Sequence, residues 1–249
     1  MEVQVGQAQT EHKIGLWQAL GGVITSPGTT FEKLAQVPMT WKPSLLLVLI
    51  AAVFSVPFYS KFFEYSSLVV KKTLNTSQIP AGTDVNQMLN TGATVATISA
   101  LVGTVLSIFL VPIVVAGLLK LLNFVMGEEA KFSQLWTVTI FSRVPALLGL
   151  LLGNLLLLTA SGDNLVTTFM LKTSLANLVP ISAVPPYLFM LLVNLDLFSL
   201  WGIALTVIGT AKVFRVKAAK VGVVVFGLWL VYVLISSYAG QATMVKLLS

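Results

Sequence analysis

The stretch of sequence that decides the fold runs from Ala93 to Leu122 and reads ATVATISALVGTVLSIFLVPIVVAGLLKLL. Its only charged residue is Lys120, close to its end. About 20 consecutive apolar residues suffice to cross the hydrocarbon core of a bilayer as a helix. Backbone amides cannot remain unpaired in hydrocarbon, and apolar runs such as Leu45–Ala52 lack the alternation of a barrel strand. The stretch therefore predicts a membrane-spanning helix.

The rest of the chain has the same character. Of its 249 residues, 56% are hydrophobic and 10% charged, and the mean hydropathy is +0.92. A soluble domain carries roughly 25% charged residues. We therefore predict an all-α, polytopic protein whose residues 44–240 form a bundle of five transmembrane helices. The approximate spans are 44–63, 93–122, 133–160, 190–213 and 221–239.

The region before the first span is different. Residues 1–13 are polar and predict a disordered tail, whereas residues 14–43 predict short amphipathic helices at the cytoplasmic interface. Pro27 suits the first position of a helix, and apolar stripes at helical spacing surround Trp17 and Phe31. Trp17 and Phe31 are therefore candidate interfacial anchors. The alternative is that these helices pack on the underside of the bundle.

The distribution of basic residues predicts the orientation. The net charge is +6, but no run of Lys or Arg exceeds two residues, so we expect no nucleic-acid partner. Lys and Arg accumulate near the cytoplasmic ends of spans. With five spans and the N-terminus inside, nine basic residues are cytoplasmic and five lie on the other side, the nine being Lys13, Lys33, Lys42, Lys120, Lys131, Lys212, Arg215, Lys217 and Lys220. We expect an integral protein of a bacterial inner membrane, with its N-terminus in the cytoplasm and its C-terminus outside.

Two charged residues interrupt the apolar segments. Placing an ionisable group at the centre of a bilayer costs roughly 2.5–3.5 kcal/mol on insertion scales, so such a group is by default a hypothesis of function. Arg143 and Asp196 are the candidate intramembrane polar pair, facing each other across the bundle interior. Asn154 and Asn194 are candidate supporting residues in the same polar cavity.

A structural alternative leaves both charges shallow. If the third span begins near Pro145, residues 132–144 form an interfacial helix and Arg143 extends to the headgroups. Asp196 would then cap a span that begins at Leu197.

Residues for catalysis are missing from the sequence. There is no cysteine, and the single histidine, His12, lies in the polar tail, so a Ser-His-Asp triad cannot be assembled in the bundle. We expect no catalytic site, no metal and no cofactor. The expected function is that of a non-enzymatic scaffold or adaptor in membrane organisation or trafficking. Its expected partners are the lipid bilayer and a membrane or cytoplasmic protein, and a homo-oligomer is a further alternative. The alternative is a small transporter or channel that uses a polar site around Arg143 and Asp196.

Several short motifs recur in an order that resembles a known family. They are Trp17 with Ser26-Pro27-x-x-x-Phe31, Gly127-x-x-x-x-Phe132, Phe141-Ser142-x-x-Pro145, Leu195-Asp196-Leu197-Phe198-Ser199-Leu200-Trp201 and Gly209-x-x-Lys212. In this order the chain resembles the Yip1-domain family, in its bacterial form, over roughly residues 15–238.

The resemblance implies five transmembrane helices and a cytoplasmic N-terminus. Eukaryotic members of the family associate with Rab GTPases and act in vesicle-mediated transport, through proteins that carry a long cytoplasmic N-terminal region. The sequence has no such region before its first motif, so the resemblance implies the fold more strongly than Rab binding.

Overall fold

A computed structural model describes residues 14–73, 82–162, 164–165, 168, 173–180 and 183–248. The predicted tail of residues 1–13, with His12, lies outside the described residues. The described α-helices are α1 Leu16–Thr25, α2 Pro27–Gln36, α3 Trp41–Ser55, α4 Tyr59–Thr73, α5 Val85–Met126, α6 Phe132–Phe141, α7 Val144–Leu157, α8 Pro186–Asn194, α9 Leu197–Phe214 and α10 Ala218–Leu248.

Five helical segments are long and apolar enough to cross a membrane, namely Trp41–Thr73, Val85–Met126, Phe132–Leu157, Leu197–Phe214 and Ala218–Ala242. No β-strand occurs in the described part of the chain. The prediction of a five-helix polytopic membrane protein is therefore confirmed.

The first two spans are longer than a bilayer requires. With 42 residues, α5 measures about 63 Å, roughly twice the thickness of the hydrocarbon core. Pro57 interrupts the first span at a 3₁₀ turn, and α4 continues beyond it alongside the beginning of α5. The two helices approach closely at Gly92, where an added Cβ would lie 3.2 Å from Val70 Cγ1. Asp84 begins α5, its Oδ1 accepting hydrogen bonds from the backbone of Asn86 and Gln87.

Helix α6 lies in the interior of the bundle, and three of its polar side chains hold neighbouring segments. The Gln134 side chain donates to the Ala35 carbonyl (2.7 Å), Thr137 to that of Met39 (3.1 Å) and Thr139 to that of Pro112 (2.9 Å). The apolar residues that α6 buries are Leu135, Val138, Ile140 and Phe141. Most of α6 is therefore packed against protein, although Phe132 at its beginning is exposed.

The N-terminal helices pack on one end of the bundle. Phe31 on α2 is completely buried and lies against Gly209 of α9. A Cβ atom at Gly209 would come within 2.7 Å of Val138 Cγ1 and 3.0 Å of the Phe31 ring, so only glycine leaves room for this contact. Beside it, Lys212 Nζ and Glu32 Oε2 form an ion pair at 3.0 Å. The chain thus folds α1 and α2 into the core.

Replacing Gly209 by alanine tests whether the contact between Phe31 and Gly209 holds the N-terminal helices on the bundle. We expect Gly209→Ala to lower the free energy of unfolding by about 1–3 kcal/mol, because the added methyl group overpacks the Phe31 contact. Reversible unfolding in detergent micelles is the measurement. Gly103→Ala is the control, because nothing lies within 4 Å of its position; equal losses in the two variants would contradict the packing.

Candidate functional site

Arg143 lies at a break between two helices. Helix α6 ends at Phe141, and Pro145 stands in the first turn of α7. Proline has no N–H to continue a helical ladder but fits the beginning of a helix. Ser142 and Arg143 form the turn, where the Arg143 N–H bonds to the Ile140 carbonyl at 3.1 Å. The guanidinium is therefore carried by a turn within the third span.

Asp196 lies at a second break, between α8 and α9. Its Oδ1 accepts a hydrogen bond of 3.0 Å from the backbone N–H of Ser199, and its Oδ2 accepts one from the Thr173 hydroxyl. Asp196 is therefore the N-cap of α9, as in the structural alternative considered from the sequence. The Leu175 N–H bonds to the Leu195 carbonyl at 3.0 Å and ties the preceding segment to the same break.

The two breaks border one cleft of about 250 Å³, which Arg143 and Asp196 line together. Thr104 and Ser107 of α5 add hydroxyl groups to its wall. Arg143 and Asp196 do not form an ion pair; among described residues, ion pairs join Lys61 to Glu64 and Lys212 to Glu32. The Arg143 Nε atom is buried and has no hydrogen-bond partner in the described part of the chain. The cleft thus combines both signs of charge without neutralising them directly.

Asn154 and Asn194 lie outside this cleft, which corrects the prediction that they support it. The buried Asn154 side chain donates to the Phe54 carbonyl at 2.8 Å and joins α7 to the end of α3. The Asn194 amide donates to the Ser237 hydroxyl at 3.2 Å and joins α8 to α10. Each amide thus forms a hydrogen bond to a neighbouring helix, and the two bonds lie at different places in the bundle.

The two predicted interfacial anchors also have different positions. The Trp17 side chain is 71% exposed, so it is free to contact headgroups. Phe31 is buried against Gly209 and cannot contact lipid, which corrects its prediction as an anchor. The helical stripe around Phe31 faces protein because α2 packs on α9 and α6.

A second cleft, which the sequence did not reveal, lies at the end of the bundle that carries α2. We call it the basic-end groove; its volume is about 770 Å³, and the polar residues that line it are Glu32, Gln36, Gln134, Lys212 and Arg215. Arg215 follows the end of α9 in the left-handed region, with φ of 57°. The spacing Gly209-x-x-Lys212 was the sequence feature that could have indicated this groove, because residues three apart lie on the same face of a helix.

Neither cleft carries an evident metal-binding set. No group of three or more His, Cys, Asp or Glu residues within the described ranges could hold a metal ion.

The chain has five spans, a helix break within the third, another directly before the fourth, and an N-terminal helix pair packed on one end. These features define a polytopic helical membrane protein. The model of the Yip1 domain family matches residues 21–239, so the chain belongs to the Yip1 family. It is also 29% identical over 228 residues to the membrane protein YknW of Bacillus subtilis (strain 168), covering 88% of this chain and 89% of that protein. No solved structure matches the chain significantly.

Substitution of Asp196 separates its capping role from its charge. We expect Asp196→Ala to lower the free energy of unfolding by about 0.5–2 kcal/mol, because the first turn of α9 loses its cap. Asp196→Asn should stay close to the wild type, since asparagine caps equally well. Unfolding of both variants in micelles is the measurement. A loss of the same size in both would mean that charge, rather than capping, stabilises the break.

Proposed function

We propose that the protein is a non-catalytic membrane adaptor that binds a segment of another protein in the basic-end groove. The observation that carries the proposal is the rigid packing of α2 beside the groove, through the Phe31 contact with Gly209 and the hydrogen bond from Gln134 to Ala35. A groove with preorganised walls binds a partner without a large ordering cost.

The chemistry of the groove suits a polar or acidic segment of a protein. Lys212 is paired with Glu32, whereas Arg215 has no ion-pair partner among the described residues. Arg215 also occupies a left-handed conformation that glycine adopts more easily. Backbone strain of this kind is a reason to suspect function at a position. It supports Arg215 as the residue that contacts the partner.

The orientation is part of the proposal. The basic-end groove carries Lys212 and Arg215, and Lys217 and Lys220 follow in the turn and helix beyond it. Positively charged ends of spans face the cytoplasm in most membrane proteins. The groove would therefore be cytoplasmic, in a bacterial inner membrane, and open to partners there.

A single cysteine tests both the orientation and the groove, because the natural chain has none. Gln36 is exposed and lines the groove. We expect Gln36→Cys to react with an impermeant maleimide from the cytoplasmic side, and a photocrosslinker on it to give one discrete adduct in native membranes. Asn90→Cys, near the beginning of α5, is the control and should react from the opposite side without that adduct.

Adding Arg215→Gly to Gln36→Cys makes the test specific. Glycine relieves the left-handed backbone, so this change should raise stability by as much as about 1 kcal/mol while weakening the adduct. An undiminished adduct would refute the role of Arg215. No adduct in either background, or labelling of Gln36→Cys only from outside, would refute the adaptor proposal as stated.

A second candidate function, a small transporter or channel, is favoured by one observation. Arg143 and Asp196 line the same cleft, Arg143 at a break within the third span and Asp196 at the beginning of the fourth. Discontinuous helices that present polar groups within the membrane are the construction used by transporters at their substrate sites.

Solute flux in proteoliposomes tests this second candidate. Under it, Arg143→Ala and Asp196→Ala should each reduce flux by tenfold or more, as expected for loss of a charge-assisted hydrogen bond of about 1.5–3 kcal/mol. Lys212→Ala, at the other end of α9, should leave flux unchanged. Flux that is insensitive to both cleft substitutions would remove the candidate.

A further inference from the structure

The cleft between the two helix breaks has a mixed lining that suits an amphipathic molecule. Beside its polar residues, its wall includes the apolar side chains of Leu47, Ile108, Leu150 and Phe198. Its volume of about 250 Å³ is below the roughly 300–1,000 Å³ of sites for drug-sized ligands. A cleft of this size can hold a small polar group of a ligand. An apolar chain attached to that group would have to leave through the open side of the cleft.

The charged side chains that line the cleft indicate which charges a bound polar group must carry. A guanidinium offers only donors, and although Arg143 lines the cleft, no hydrogen bond or ion pair joins its side chain to another described residue. It therefore calls for an anionic acceptor. A phosphate or carboxylate accepts hydrogen bonds from arginine with good geometry.

Asp196 excludes a simple anion. Each of its oxygens accepts one hydrogen bond in the structure, from Ser199 and from Thr173, and each keeps a further lone pair. A carboxylate in the same cleft repels a ligand that is only negative and attracts an ammonium group. Because Asp196 also caps α9, its carboxylate is held at the beginning of that helix, in the wall of the cleft.

We propose that the cleft binds a zwitterionic phosphoethanolamine group, with its phosphate at Arg143 and its ammonium at Asp196. The group is available as the headgroup of phosphatidylethanolamine in the bilayer and as free phosphoethanolamine. The inference shares its site with the second candidate function but concerns binding alone. Bound ligand without flux would refute transport and leave this inference standing.

Native mass spectrometry of the full chain, purified in detergent, measures the binding of lipids with identical acyl chains. We expect the wild type to bind phosphatidylethanolamine at least tenfold more tightly than phosphatidylglycerol, which has the phosphate but lacks the ammonium. Asp196→Asn should abolish this preference while keeping the helix cap. Arg143→Gln should weaken both lipids about tenfold or more, the loss expected for one charge-assisted hydrogen bond.

Further variants keep the result interpretable. Lys33→Gln carries the same loss of charge at an exposed position outside both clefts and should retain the wild-type preference. Arg143→Lys keeps a cation and should retain most of the preference, which provides a test if Arg143→Gln does not fold. Equal binding of the two lipids by the wild type, or a preference that persists in Asp196→Asn, would overturn the proposal.

Competition identifies the source of the group. Free phosphoethanolamine that displaces the lipid at comparable concentration would make the natural ligand a soluble molecule held by its charges. Lipid that resists displacement by a hundredfold excess would make it a bilayer lipid held also by its chains. Both outcomes require the preference for the ammonium and therefore support the site.

Discussion

The structure depends on one constraint, that backbone N–H and C=O groups inside hydrocarbon must find partners within the protein. Continuous helices meet it automatically, and the breaks between helices meet it through local hydrogen bonds. At the second break Asp196 accepts from the Ser199 N–H, and the Leu175 N–H bonds to the Leu195 carbonyl. Near the break at Pro57, the carbonyl of Phe54 accepts a hydrogen bond from the Asn154 side chain. Asp196 and Asn154 therefore bond backbone groups at places where the helical ladder is interrupted.

The same constraint explains which features were predictable from the sequence. Apolar length predicted the five spans, and Asp196 before an apolar run was recognisable as a possible cap. The burial of α6 was not predictable, because a helix surrounded by protein and one surrounded by lipid are equally apolar. The partners of Asn154 and Asn194 could not be deduced either, since an amide bonds whichever polar group the tertiary fold brings near. Phe31 was assigned to the interface because its amphipathic stripe does not reveal whether it faces lipid or Gly209.

Helix α9 relates the two clefts to each other. Asp196 caps its beginning, and Lys212 and Arg215 stand at its other end, where they line the basic-end groove. Its 18 residues separate these ends by about 27 Å. Glycine at position 209 lets Phe31 approach the helix, while Gly149 of α7 accommodates Phe198 near the opposite end. Different neighbours thus pack closely against α9 at its two ends, and these contacts fix the part of α9 that lines each cleft.

The first two spans are longer than the hydrocarbon core of a bilayer requires, and part of their extra length forms a hairpin at one end of the bundle. About half of the 63 Å of α5 exceeds the hydrocarbon thickness, and α4 accompanies its beginning as the second arm of a hairpin. The opposite end is closed by α1 and α2, which lie folded against the bundle. The eight residues of α5 before its apolar stretch, Val85–Gly92, extend the tip of this hairpin by about 12 Å. A molecule that contacts the tip therefore meets two paired helices, whereas one at the other end meets the packed surface of α1 and α2.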